Sequence, residues 1–147
     1  MRYKLIWLMV LLLQLLGCGT NIDKELVDAA WTGDAKRVTI LLQSGANIEA
    51  TELDGWTPLT ASASGGYIEV VRILVLSGAN INAVESGGNT PLFWASFHNH
   101  SDVVKFLLLH GAIKTIGGKS RDGKQKLPID AAREKGYYDI VNILSSQ

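Results

Sequence analysis

Gly45-Ala46-Asn47 recurs 33 residues later as Gly78-Ala79-Asn80, and after the same interval again as Gly111-Ala112-Ile113. Thr57-Pro58-Leu59 and Thr90-Pro91-Leu92 keep that interval too. Two independent landmarks with one period constrain the fold more than any other feature of the chain. A unit of this length is one supersecondary element that cannot bury its apolar face alone, so consecutive units must stack.

Each landmark has a local physical reason. Thr57 and Thr90 can cap a helix with their hydroxyls. Pro58 and Pro91 then take the first helical position, where a missing N–H costs nothing. The helices that start there carry Ala61, Ser62 and Ala63 in one unit and Ala95 and Ser96 in the next, small side chains that let neighbours approach closely. A break follows at Gly65-Gly66 and at the equivalent Asn99, which tolerates the left-handed conformation better than most side chains. A second helix is predicted from apolar residues at i, i+1, i+3 and i+4: Val70, Val71, Ile73 and Leu74, matched by Val103, Val104, Phe106 and Leu107. Those positions are the expected stacking core, and Gly78 and Gly111 the left-handed caps that end it.

The Gly-x-Thr-Pro-Leu opening, the small residues of the first helix and the Val-Val pair of the second helix before Gly-Ala closely resemble the ankyrin repeat. The resemblance covers about Ile22 to Gln147. It implies an all-α, ankyrin-repeat solenoid of about four helix-turn-helix repeats with hairpin loops, at about 22–52, 53–85, 86–118 and 119–147. The first repeat has Glu25 where Pro is expected but keeps Ala29-Ala30, Gly33, Val38, Ile40-Leu41-Leu42 and Gly45-Ala46-Asn47, and reads as an N-terminal cap. The last keeps Leu127-Pro128-Ile129, Ala131-Ala132, Gly136 and Ile140-Val141, then turns polar at Asn142, Ser145, Ser146 and Gln147, as a C-terminal cap requires. Pro91 and Pro128 are 37 residues apart, which places four extra residues near Gly117–Lys124.

Residues 1–17 read as a signal peptide: Arg2 and Lys4, then an apolar run from Leu5 to Leu16, then small residues. A run of twelve is short of the about 20 that a membrane-spanning helix needs. Leu15-Leu16-Gly17-Cys18 resembles the lipobox of bacterial lipoproteins, which implies lipidation of Cys18, cleavage before it, and residues 18–21 as a short tether. The alternative is an incidental thiol after an ordinary secretory leader. Cys18 is the single cysteine, so no intrachain disulfide can form, and an unmodified thiol would be a liability in an oxidising compartment. Gly19 stands where an inner-membrane retention signal places Asp. The expected location is therefore the cell envelope, on the periplasmic side of the outer membrane if the host has two membranes.

The whole chain is formally neutral, and Arg2 and Lys4 lie in the leader, so the remainder carries two fewer basic than acidic residues. That balance gives no general attraction to nucleic acid. No Gly-x-Ser-x-Gly, phosphate-cradling loop or His-Glu-x-x-His occurs, so neither enzyme nor cofactor nor small-molecule substrate is expected. His98 and His100, at i,i+2, would point to different faces of a helix. With His110 they read as solvated residues at helix ends rather than as a zinc site. Glu49, Glu52 and Asp54 read as a solvated turn rather than as paired carboxylates.

The ankyrin resemblance implies binding through hairpin tips and the inner face of the first helices. In this chain those positions are Leu53, Asp54, Trp56, Asn89 and Lys126 on hairpins, and Trp31, Thr32, Ser64, Phe97, His98, Glu134 and Lys135 on first helices. Trp31, Trp56 and Phe97 would face outward as interface anchors; the alternative has Trp31 covering the cap and Trp56 packing along its own hairpin. Trp94 is expected in the core. The expected partner is another protein, with the membrane reached through the anchor at Cys18. An adaptor, an inhibitor such as an immunity protein, and a protective binding partner fit the sequence equally. A different class is a membrane-surface or envelope-structural lipoprotein using the basic insert, with Lys114, Lys119, Arg121, Lys124 and Lys126 against Asp122 alone; that insert otherwise reads as a mobile, soluble loop.

Overall fold

The computed structural model describes residues 21–119 and 123–146. The leader, Cys18 and most of its tether, together with Ser120, Arg121, Asp122 and Gln147, lie outside the described residues. Four helix pairs follow one another: α1 (Ile22–Thr32) with α2 (Ala35–Gln43), α3 (Pro58–Gly65) with α4 (Ile68–Leu76), α5 (Pro91–Phe97) with α6 (Ser101–Leu109), and α7 (Pro128–Lys135) with α8 (Tyr138–Ser145). First helices pack on first helices and second helices on second helices, so the array has two layers.

The helix boundaries have local causes. Thr57 Oγ1 accepts from the N–H of Thr60, and Thr90 Oγ1 from that of Phe93, each at 3.2 Å, with proline at the first helical position. Leu127 has no hydroxyl at the equivalent place. Asp130 compensates by reaching back, its Oδ2 accepting from the Leu127 N–H at 3.1 Å. The turns between paired helices need positive φ, supplied by Gly33, Gly66 and Gly136 and, in the third unit, by Asn99 at φ 65°. At Gly66 a side chain would also run into the His100 ring.

Leu26, Leu59 and Leu92 from the first helices and Val70, Val71, Leu74, Val103, Val104 and Leu107 from the second form a continuous core with almost no solvent exposure. Ala61, Ala63 and Ala95 lie fully buried between first helices. The core extends into the fourth unit through Ala132, Ile140 and Leu144.

A second set of bonds runs along the edge where the second helices end, closing the first unit on itself and joining it to the second and the second to the third. Asp23 Oδ1 accepts from the Asn47 N–H at 2.7 Å, Glu49 Oε1 from the Asn80 N–H at 2.7 Å, and Asn82 Oδ1 from the Ile113 N–H at 2.9 Å. Glu49 is thus an inter-unit latch rather than a residue of a solvated turn, and Glu52 pairs with Lys24 at 3.3 Å. The latches exist because the chain after Gly45, Gly78 and Gly111 presents backbone N–H groups that no helix uses, and a side-chain oxygen of α1 or of the preceding unit accepts from them.

The described residues at the base of the insert are pinned. Lys119 and Gln125 form an antiparallel bridge, and the Lys126 N–H donates to the Gly118 carbonyl at 2.8 Å. The Gly118 N–H in turn donates to Asn89 Oδ1 at 3.1 Å, joining this hairpin to the one before it. The close approach explains the two glycines: a side chain on Gly118 would strike the Gly87 carbonyl, and one on Gly117 the Lys126 carbonyl.

Candidate protein-binding face

Aligning the units on Leu26, Leu59, Leu92 and Ile129 puts Trp31, Ser64, Phe97 and Glu134 in one register, and Trp56, Asn89 and Lys126 in another. The stacked first helices and hairpins bring these two rows together. Trp31, 38% exposed at the end of α1, lies against Trp56 of the next hairpin with ring centroids 4.8 Å apart. Trp56 meets Trp94 of α5 at 4.9 Å, and Trp94 meets Phe97 at 5.7 Å and His98 at 5.8 Å. Lys135 of α7 places its ammonium 4.5 Å from the Phe97 ring centroid, and Lys126 approaches the same ring at 6.0 Å. A continuous aromatic row therefore runs from the first helix pair to the third and ends on cations of the fourth unit.

The second unit explains how the row closes. Its first helix offers Ser64 where its neighbours offer Trp31 and Phe97, and that gap is filled from both sides. Trp56 enters from the hairpin. Trp94 enters from α5, at a position that carries buried alanine in the second and fourth units, Ala61 and Ala131. Trp94 is thus half-buried in the row instead of lying within the core, and its indole Nε1 is enclosed without a hydrogen-bond partner. Such an orphan donor costs about 1–3 kcal/mol. Trp56 and Phe97 are likewise half-buried against other rings, so the row combines packing with exposure.

His98 and His100 converge instead of diverging. Asn99 reverses the chain between α5 and α6, so the helical rule for i,i+2 does not apply, and the two ring centroids lie 6.2 Å apart. His98 Nδ1 is 3.1 Å from Ser64 Oγ, and His100 Nε2 is 3.0 Å from the Ser64 carbonyl oxygen. Both imidazoles thereby tie the end of α3 to the following unit. Partial burial holds the His98 pKa below the ordinary histidine value, and the neighbouring His100 and Lys135 lower it further. His110 is engaged elsewhere, its Nδ1 2.8 Å from the Phe106 carbonyl oxygen. Among the described residues no group of three or more His, Cys, Asp or Glu side chains could hold a metal ion.

The remaining positions divide. Leu53 and Asp54 stand at an exposed hairpin tip, Asp54 with φ 66°. Glu134 is exposed and pairs with Lys126, and Lys135 caps the aromatic row. Thr32 turns its hydroxyl back onto the Asp28 and Ala29 carbonyls. Asn89 is used up between hairpins, donating to the buried Glu85 carboxylate and accepting from Gly118. Sequence reasoning placed Lys126 on the hairpin row but missed Trp94 as a member of the face, although the register arithmetic from Leu92 locates it.

The repeat-by-repeat geometry agrees with the family comparison, in which the model described as ankyrin repeats (3 copies) matches residues 26–118. The chain belongs to the ankyrin-repeat family. Ankyrin repeats generally serve as protein–protein interaction modules and are typically non-catalytic. The α7–α8 pair lies beyond the matched residues yet continues the ankyrin stack, with Ala131 and Ala132 buried as the first-helix alanines of the other units are. No curated protein matches the sequence.

Proposed function

We propose that this chain is a non-catalytic binding module, held at the bacterial cell envelope by lipid on Cys18, that engages a protein through the face built by its first helices and hairpins and acts there as adaptor, inhibitor or protective partner. The observation that carries the binding reading is the aromatic row from Trp31 to Phe97, spaced at 4.8, 4.9 and 5.7 Å and running into Lys135. Large rings held rigid by their neighbours lose little entropy on binding, and tryptophan is enriched among interface residues that dominate affinity. The anchoring reading is supported by the lipobox-like Leu15–Cys18 directly after an apolar run.

The test is crosslinking and capture from native membranes, comparing the wild type with Trp31→Ala/Trp56→Ala/Phe97→Ala, each first checked for helical circular dichroism. One envelope protein held by the wild type and lost with the folded triple variant supports the face. Equal capture by both sinks it. Intact mass decides the anchor: acyl chains on Cys18 are expected, and an unmodified thiol refutes lipidation.

A further inference from the structure

The aromatic row leaves the second helices unused, and two of them carry a graded outer face. In α4 the exposed residues at i, i+3 and i+7 are Glu69, Arg72 and Leu76; in α6 they are Asp102, Lys105 and Leu109. Each series lies on one side of its helix. Charge therefore runs in the same sense twice: a carboxylate in the first turn, a cation mid-helix, and a bare leucine at the tip. Leu76 is 72% exposed and Leu109 82% exposed, as unburied as surface polar groups. At 1.5 Å per residue, each cation stands about 6 Å above its leucine and each carboxylate about 10 Å above it.

The leucine tips occupy the edge at which the chain enters the array. The Asn47 N–H, just past the end of α2, bonds to Asp23 in the first turn of α1, so Asn21 and the ends of the second helices share a level. Cys18 is three residues away.

We propose that the tips of α4 and α6 rest on an anionic lipid surface, with Leu76 and Leu109 in the boundary between headgroups and acyl chains and with Arg72 and Lys105 at the phosphates. The spacing matches an interfacial helix end, whose apolar part enters about 5–10 Å while cations remain among the headgroups. The carboxylates of Glu69 and Asp102 then stand clear of the negative surface, and those of Asp23 and Glu49, on the same edge as the tips, are engaged by the Asn47 and Asn80 N–H groups. Anchoring alone leaves the module free to tumble about its tether; the leucine tips fix which edge faces the bilayer. This rests on the envelope reading for its location, but not on lipidation as such.

The test reads orientation along one helix. An environment-sensitive fluorophore is attached to Ser77→Cys at the tip of α4, or to Glu69→Cys at its other end, in the full-length, processed protein on vesicles of phosphatidylethanolamine and phosphatidylglycerol carrying nitroxide-labelled lipid. Quenching at position 77 is expected to exceed that at 69, and Leu76→Glu/Leu109→Glu is expected to abolish the difference. Each leucine that leaves water biases orientation by about tenfold or more. Equal quenching at both ends overturns the inference, as does light scattering that shows a dimer burying the tips. Intact mass of the unlabelled protein reports the anchor separately: acylated protein with equal quenching sinks the inference alone; if Cys18 is unmodified, the same variants carry Cys18→Ser so that a single thiol takes the fluorophore, and tip-selective quenching then sinks lipidation alone.

Discussion

Leu107 and Leu109 are two residues apart on α6, and the fold gives them opposite worth. Leu107 is fully buried in the core between the second helices, whereas Leu109 is 82% exposed. Leu107→Ala removes buried methyl groups and leaves a cavity that neighbours close only in part. The expected loss is about 3–5 kcal/mol, since fully buried leucines truncated to alanine fall in that range. Against a total stability on the order of 5–15 kcal/mol, this is about a fifth or more of what holds the domain. The melting midpoint should drop by roughly 10 °C or more for a chain of this size. Leu109→Ala has no cavity to make, and alanine is the better helix former, so its effect stays within about 0.5 kcal/mol. Urea titration followed by circular dichroism at 222 nm measures both. A Leu109→Ala loss as large as that of Leu107→Ala would refute the assignment of the core stripe. It would also show that Leu109 is covered by something within the fold, leaving no free tip for a lipid surface.

Three further outcomes follow from the binding face and its hairpins. In a double-mutant cycle, Trp31→Ala and Trp56→Ala should couple by about 1 kcal/mol, as tilted aromatic pairs at this spacing do, measured by denaturation; additivity within about 0.3 kcal/mol would deny the ring contact. Gly118→Ala drives a methyl into the Gly87 carbonyl, so it should destabilise the domain by about 1–3 kcal/mol and speed exchange of the residue 118 amide proton, which hydrogen-exchange NMR reads. His98 should titrate below the ordinary histidine value by NMR. Its depressed folded pKa means that its contribution to stability is present above the unfolded pKa and is lost as pH falls from there through the folded value, and His98→Gln should remove that part of the acid sensitivity.

The fold was legible because its signals are local and periodic. The Thr-Pro starts, the Val-Val stripes and the Gly-Ala stops each act within one unit, so the sequence displays them at a fixed interval. The site was legible only in part. Trp31, Trp56 and Phe97 announce themselves as large rings at outward registers, but their contact with one another depends on what the second unit lacks. Ser64 leaves the room that Trp94 takes, and a residue's absence from a position carries meaning only after the units are aligned. The histidines were misread for a related reason. The i,i+2 rule holds inside a helix, and Asn99 with its positive φ ends the helix between them. The latches at Asp23, Glu49 and Asn82 were hidden because their partners are backbone N–H groups, which any residue supplies and no motif marks.

A helix pair repeated with nearly the same register separates tasks by helix rather than by position along the chain. Residues of the first helices and hairpins meet their counterparts in the next unit, so rings placed there accumulate into one row, and adding Lys126 and Lys135 extends that row without disturbing the core. At the outer tips of second helices Leu76 and Leu109 are largely exposed, so packing places little constraint on either. The acid-to-cation order has a local cause in both helices, a carboxylate in the first turn facing the helix dipole with an opposite charge three residues on; core packing gives no such reason for leucine at either tip. A shared external surface accounts for the two leucines, because a flat boundary meets equivalent positions of adjacent units at one depth. The same two positions in the flanking units, Gln43 and Ser146, are polar, which confines the contact to the centre of the array.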